Sequence, residues 1–302
     1  MTSTLAQIVV LAVLPPLLLG VINKTKAVFA GRRGASVWQP YFDVAKLLRK
    51  ETAVSATTTW LFAAAPLVVV SVTVVAGLMV PIGPFPAPIS FPGDFVLFAY
   101  LLAVGRFFTA SAALDTGSPF AGMGAAREVG FAWITEPALF FAFLALARLG
   151  GSLSLDGMLR ATERGAWAVR TAPLLLMAAG LFIVLLNECS RIPIDDPNTH
   201  LELTMIHEVM VLDHGGPLLG LIEYGAAMKL LVLAAVLLHV IAPAASLPGW
   251  AGLALFVLGL LVIAIGIGVL ESTMARLRLL HVPTLLAAAF LSCGFAFLLL
   301  TR

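Results

Sequence analysis

The sequence predicts an all-α, polytopic membrane protein with about eight transmembrane helices. Hydrophobic residues make up 61% of the 302 residues and charged residues only 11%, whereas soluble domains carry roughly 25% charged residues. The mean hydropathy is +1.05, and several apolar stretches approach the ~20 residues that a helix needs to cross about 30 Å of hydrocarbon. We expect residues 1–302 to form a single transmembrane domain.

Eight apolar stretches are long enough to be spans. They cover residues 5–21, 60–81, 95–113, 131–148, 171–187, 218–241, 250–270 and 282–300. The third is the least regular, because Arg106 lies near its middle. An unpaired arginine at the centre of a membrane costs at least about 2.5 kcal/mol, so we expect Arg106 to point inward.

The positions of lysine and arginine predict the orientation in the membrane. The first connection, residues 23–59, holds seven basic residues, which are Lys24, Lys26, Arg32, Arg33, Lys46, Arg49 and Lys50. The next connection, residues 82–94, holds none. Because basic loops stay in the cytoplasm, loop 23–59 is predicted to be cytoplasmic and both termini to lie outside. The loop between the fourth and fifth spans, with Arg148, Arg160, Arg164 and Arg170, departs from this rule.

A short helix is predicted within the first loop. Residues 40–52 mix apolar side chains such as Phe42 with charged ones such as Asp43 and Lys46. Such a pattern suits a helix that lies on the membrane surface, and an ordinary solvated helix is the alternative.

Acidic residues concentrate in residues 187–216, which we expect to be a half-buried cytoplasmic loop. The loop contains Glu188, Asp195, Asp196, Glu202, Glu208 and Asp213, with His200, His207 and His214 between them. Burial and crowding raise carboxylate pKa values, so these acids together with His207 are predicted to hold and release protons as a relay. Pro193 and Pro197 keep residues 191–198 non-helical, and a helix can begin at Thr199.

The histidines and cysteines do not predict a metal or cofactor site in this chain. His200, His207 and His214 recur every seven residues, but Val211 stands where the second histidine of an HExxH motif would be. The histidines are therefore expected to form hydrogen bonds or to buffer protons. Cys189 and Cys293 lack a CxxC partner, so the chain is not expected to bind an iron-sulfur cluster or nickel.

Further ionisable residues lie within the apolar stretches and are candidates for function. Glu128, Glu136, Glu223 and Lys229 are predicted to continue the relay into the membrane, while Arg127 and Arg191 would tune its charge. Glu271 ends the seventh span. Glu223 and Lys229 are six residues apart, which places them on different helix faces, so each is expected to face other helices. No basic patch predicts nucleic-acid binding.

One motif resembles a known family. Glu188, Arg191, Pro193, Asp195, Pro197, Glu202 and Leu203 stand at the spacing E-x-x-R-x-P-x-D-x-P-x-x-x-x-E-L, which resembles the signature of the complex I subunit 1 family. The resemblance extends to the first loop, to Arg127-Glu128 and to Glu223-Tyr224. In quinone-reducing members acidic residues usually stand where this chain has Asn198 and His200. Residues 196–205 with His207-Glu208 are similar to the branch of formate hydrogenlyase and other energy-converting, membrane-bound [NiFe]-hydrogenases.

The resemblance implies a non-catalytic membrane subunit of an oxidoreductase complex in a bacterial or archaeal cytoplasmic (inner) membrane. It implies peripheral partners, namely hydrogenase large and small subunits and ferredoxin-like iron-sulfur subunits, which would carry the [NiFe] centre and the clusters. Antiporter-like membrane subunits would attach laterally. The docking loop would present Asp43, Lys46, Lys50 and Glu51.

Two other functions stay open at this point. The chain could be the quinone-binding subunit of a complex I-type NADH:quinone oxidoreductase, with a chamber between the signature motif and the helix near Phe42. It could also be an independent ion transporter, although the sequence shows no internal repeat of the kind common in such carriers.

Overall fold

The architecture was obtained from a computed structural model, which describes residues 2–161, 170–196, 205–242 and 249–301. The described residues are helical and contain no strand. The helices are α1 (Thr2–Phe29), α2 (Gln39–Leu48), α3 (Trp60–Leu78), α4 (Asp94–Asp115), α5 (Pro119–Gly150), α6 (Leu155–Ala161), α7 (Thr171–Glu188), α8 (His207–Val211), α9 (Gly216–Ile241), α10 (Gly249–Thr273) and α11 (Val282–Thr301). A 3₁₀ turn at Leu279–His281 precedes α11.

Eight of these helices are long and apolar enough to cross a membrane, namely α1, α3, α4, α5, α7, α9, α10 and the 3₁₀ turn with α11. The all-α fold and the predicted spans are confirmed. Two helices are longer than predicted, because α1 continues to Phe29 and α5 begins at Pro119. The first turns of α5 contain Arg127 and Glu128, whose charges lower the hydropathy there. Glu128 is buried, so the charge does not interrupt the helix.

The predicted surface helix is present as α2, and none of its residues is buried. Trp38 and Phe42 are exposed. The helix is held against the bundle by the Tyr41 hydroxyl, which donates a hydrogen bond to the Val13 carbonyl of α1. This fixes α2 beside the ends of α1 and α9.

The core is centred on α9, which is the most enclosed of the candidate spans. Around it, α3 packs on α4, α5 and α7 pack on α11, and α1 packs on α10. Close contacts between aromatic rings fill the α4–α5 interface, where Phe98 and Phe143 meet edge to face with ring centroids 5.8 Å apart. The helix faces that carry charge therefore meet near the centre of the bundle.

After α7 the chain leaves the helix and forms a buried turn, residues 189–196, which we call the signature turn. The non-helical backbone expected around Pro193 is observed up to Asp196. Pro197, Asn198 and the helix expected from Thr199 lie outside the described residues. The described chain resumes at Met205, and α8 begins at His207.

Candidate functional site

Arg106 lies at the centre of the bundle and is only 9% exposed. Its two terminal nitrogens donate hydrogen bonds to Glu136 and Glu188, and its Nε lies 3.4 Å from a carboxylate oxygen of Glu128. The inward orientation expected for Arg106 is confirmed. One guanidinium from α4 therefore joins carboxylates from α5 and α7, as its planar arrangement of donors allows.

A second cation completes the group. The Lys229 ammonium of α9 lies 3.0 Å from the other carboxylate oxygen of Glu188. We call these five side chains the Arg106 cluster: Arg106, Lys229, Glu128, Glu136 and Glu188. With three carboxylates and two cations, the cluster carries one uncompensated negative charge when all are ionised. A buried net charge costs free energy, so the cluster would be neutralised by taking up one proton.

Two cavities lie beside the cluster. The smaller, about 70 Å³, is lined by Arg106, Glu128, Glu188 and Lys229. The larger, about 360 Å³, lies toward α2. Both are lined by Cys189 and His207, so the two cavities adjoin at the signature turn and α8.

The larger cavity has a mixed lining. Its charged members are Asp43, Arg191, Asp195, Glu208 and Glu223, and its apolar members include Pro16, Leu19 and Tyr224. A polar cavity of this size has room for several water molecules with hydrogen-bonding partners. It therefore offers a path for protons from the end of α2 to the Arg106 cluster.

The groups between the cavities stay uncharged near neutral pH. Burial lowers the pKa of His207 below its usual value, an effect that Lys229 reinforces and that Asp195 and Glu208 oppose. Burial raises the pKa of the Cys189 thiol to about 12. A neutral imidazole both donates and accepts hydrogen bonds, so His207 is suited to passing a proton.

Asp195 holds the signature turn in place. It pairs with the Arg276 guanidinium at 2.9 Å and accepts hydrogen bonds from the backbone N–H groups of Ile206 (3.2 Å) and His207 (3.0 Å). The Leu277 N–H also donates to the Pro193 carbonyl over 2.9 Å. Asp195 thus ties the turn to α8 and to the segment after α10.

Arg191 and Arg127 contact groups outside the Arg106 cluster. Arg191 lies 3.4 Å from Glu271 of α10, and Lys26 of α1 lies 2.8 Å from the other oxygen of the same carboxylate. Arg127 donates to the Met205 carbonyl over 2.9 Å. Both arginines therefore fasten the segments that border the cavities.

The structure separates the predicted relay residues into three sets. Four lie in the Arg106 cluster, namely Glu128, Glu136, Glu188 and Lys229. Four line the larger cavity, namely Asp195, His207, Glu208 and Glu223. The remaining three are Asp196, Asp213 and Glu202: Asp196 is half-buried, Asp213 is exposed, and Glu202 lies outside the described residues.

The other predictions from the sequence have different outcomes. Lys229 and Glu223 do face different neighbours, as their spacing indicated. His214 stacks on Phe62 with ring centroids 3.8 Å apart, and His200 lies outside the described residues. In the described ranges no three His, Cys, Asp or Glu side chains are placed to hold a metal ion. Within the docking loop, Asp43, Lys46, Lys50 and Glu51 are exposed.

Sequence reasoning missed three residues of these ion pairs. Arg106 was recognised as inward-facing but not as the residue that joins the carboxylates. Lys26 and Arg276 were counted only as basic residues of loops. The position of Arg106 in the middle of a span was the available signal, because a buried arginine requires several acceptors.

The fold and the site define a class: a polytopic membrane protein with a buried cluster of paired charges connected to a polar cavity at one membrane face. The NADH dehydrogenase family model matches residues 2–302. The chain therefore belongs to that family and is of the complex I subunit 1 type, as the motif predicted.

The relatives indicate the branch. The chain is 31% identical to Formate hydrogenlyase subunit 4 of Escherichia coli over 97% of its length and 95% of that protein. It is 33% identical to Hydrogenase-4 component C of Escherichia coli, covering 79% of this chain and 74% of that one. A membrane subunit of the NADH-quinone oxidoreductase of Rubrobacter xylanophilus is 28% identical over 68% of this chain and 61% of its own. The predicted hydrogenase branch is confirmed, and the complex I alternative is weaker.

The fold is also found in a solved structure. A chain of the membrane-bound sulfane sulfur reductase, described as an archaeal respiratory membrane complex, superposes with a TM-score of 0.81 at 21% identity, and the match covers 98% of both chains. At this identity the match supports the fold alone.

Proposed function

We propose that the chain is the proton-coupling membrane subunit of a membrane-bound [NiFe]-hydrogenase or formate hydrogenlyase complex. It would anchor the peripheral redox subunits and would itself carry no redox centre. The observation that carries this proposal is the buried Arg106 cluster beside a polar cavity. Intramembrane ionisable groups are costly, and a path for protons is a function that accounts for the cost.

The path begins in the larger cavity. Asp43, Glu208 and Glu223 place carboxylates at its wall, and His207 lies between this cavity and the smaller one. From His207 a proton reaches the Arg106 cluster through the smaller cavity, which water can occupy. Uptake of one proton removes the uncompensated charge of the cluster, so the cluster can alternate between two protonation states.

The path leaves the cluster at Glu136. Its side chain is 40% exposed although it lies in the membrane-spanning part of α5. Hydrocarbon cannot solvate a carboxylate, so a polar group of a neighbouring membrane subunit is expected to cover it. A lateral antiporter-like subunit fits this position.

A substitution at Glu188 tests the proposal. Glu188→Gln removes the carboxylate that bridges Arg106 and Lys229 but keeps the size and hydrogen-bonding capacity of the side chain. In inverted vesicles that contain the whole complex, the number of protons moved per electron transferred is expected to fall to the uncoupled level. The complex should still assemble, which gel filtration of the solubilised complex measures.

Asp213→Asn is the matched control, because it neutralises one carboxylate on the exposed surface. Proton movement in this variant should equal that of the unmodified complex. An unchanged ratio of protons to electrons in Glu188→Gln would reject the relay.

The same proposal sets the orientation and the docking face. Loop 23–59 and the signature turn would face the cytoplasm, with both termini outside, and the peripheral subunits would dock near Asp43, Lys46, Lys50 and Glu51. In this orientation the larger cavity lies below the docked redox subunits. Proximity of this kind is what coupling requires.

Quinone binding is a second candidate, favoured by one observation. The larger cavity combines apolar residues such as Leu19 and Tyr224 with polar ones beside α2, which suits a ring with polar substituents. A photoreactive ubiquinone analogue should then label residues 40–44 or 189–195 in competition with ubiquinone. Absence of competed labelling at these residues would exclude this function.

A further inference from the structure

An open groove lies between the ends of α1 and α10. The two helices cross tightly at Gly268, where a Cβ atom would lie 2.7 Å from the Thr25 Cβ and 3.0 Å from the Ile22 carbonyl oxygen. About one turn beyond this crossing the helices end, at Phe29 and Thr273. The groove between them has a volume of about 520 Å³.

Two basic side chains line the groove. Lys26 comes from the last turn of α1, and Arg32 from the turn that follows it. The position of Arg32 is fixed by the end of the helix, because Gly31 adopts a left-handed conformation (φ 67°) and the Arg32 N–H donates to the Ala27 carbonyl over 2.8 Å. The groove is lined by Lys26, Ala27, Phe29, Ala30, Arg32, Gly34, Glu271 and Ser272.

The one acidic residue in this lining does not cancel the positive charge. The Glu271 side chain is 0% exposed and lies behind Lys26, where it pairs with both Lys26 and Arg191. Lys26 is partly exposed and Arg32 is exposed. The groove therefore presents cations at its mouth and attracts anions.

Apolar side chains continue from the groove along the outside of the bundle. Val28 and Phe29 are exposed on α1, as are Val262 and Ile265 on α10. Apolar side chains that face outward on membrane-spanning helices contact lipid chains. Basic side chains at the end of such a face are placed at the depth of the lipid headgroups, where they attract anionic lipids.

We propose that this groove binds the phosphodiester headgroup of an anionic phospholipid, with the acyl chains along the exposed face of α10. The cations hold the phosphate, and the apolar surface distinguishes a lipid from a free anion. The bound phosphate shares Lys26 with Glu271, so the lipid lies next to the ion pair that fastens the signature turn. The site is independent of the proton path.

Photolabelling in liposomes tests the site on the whole complex. The probes are phosphatidylglycerol and phosphatidylcholine that carry the same photoreactive acyl chain. Phosphatidylglycerol is expected to label residues 26–34 and 258–274 more strongly than phosphatidylcholine. Arg32→Gln should lower this labelling about fivefold, which is the effect of one basic side chain near an anionic lipid surface.

Arg33→Gln is the matched control, because Arg33 is the next residue, is exposed and is not among the residues that line the groove. It should leave the labelling close to that of the unmodified complex. Three results would overturn the proposal: equal labelling by both lipids, equal loss in both variants, or no labelling because a partner subunit covers the groove. Displacement by inorganic phosphate would also overturn it, since the site would then recognise a free anion.

Discussion

Arg106 is the residue on which the buried carboxylates depend, because its guanidinium contacts three of them. Arg106→Gln keeps a polar side chain but removes the charge. Removing one partner from a buried ion pair typically costs about 3–5 kcal/mol, so the midpoint of thermal unfolding in detergent should fall strongly. Arg148→Gln makes the same change at an exposed site of α5 and should have little effect. Equal midpoints for the two variants would contradict the central role of Arg106.

His207 gives the protein a pH-dependent stability. Burial lowers the pKa of His207 in the folded protein, whereas in the unfolded chain it is about 6.5. The unfolded state therefore binds more protons as the pH falls below about 6.5, and the folded state loses stability there. Above this pH the contribution of His207 is fully retained.

The unfolding midpoint, measured between about pH 7.5 and pH 5.5, should fall with pH, and it should fall less steeply in His207→Gln. The slope should not vanish, because burial also lowers the pKa of His214. An unchanged slope in His207→Gln would show that His207 does not titrate in this way.

At the scale of helices, close packing at single glycines sets the distance between neighbours. Gly268 and Gly266 lie two residues apart on α10, but a Cβ atom at Gly268 would collide with α1 while one at Gly266 meets nothing within 4 Å. Gly268→Ala should therefore lower the free energy of unfolding by about 1–3 kcal/mol. Gly266→Ala should raise it by about 0.5–1 kcal/mol, because alanine favours the helix. Changes of the same sign at both positions would contradict this packing.

The sequence predicts the helices well and their contacts only in part. Apolar runs of about 20 residues are required by the bilayer, so all eight spans could be located. The start of α5 could not, because the charges of Arg127 and Glu128 resemble a loop until their partners are known. The same limit applies to the site: proximity between Arg106 and Glu188, 82 residues apart, comes from helix packing and not from spacing along the chain.

Across the whole molecule, buried charge is divided between two groups with different surroundings. The Arg106 cluster has an excess of carboxylates and adjoins cavities. The group around Glu271 has an excess of cations, from Lys26 and Arg191, and holds segments together. An excess of negative charge favours proton uptake, whereas an excess of positive charge keeps Glu271 ionised. The two groups are therefore suited to proton transfer and to structural support, respectively.

Infrared difference spectroscopy of the whole complex during turnover tests the central claim most directly, because a protonated carboxyl group has its own C=O band. We predict a carboxyl band that changes between resting and reducing conditions, shifts in D₂O and is lost in Glu188→Gln. The band should persist in Asp213→Asn. Turnover with no change in any carboxyl band, or a band unaffected by Glu188→Gln, would contradict proton uptake by the Arg106 cluster.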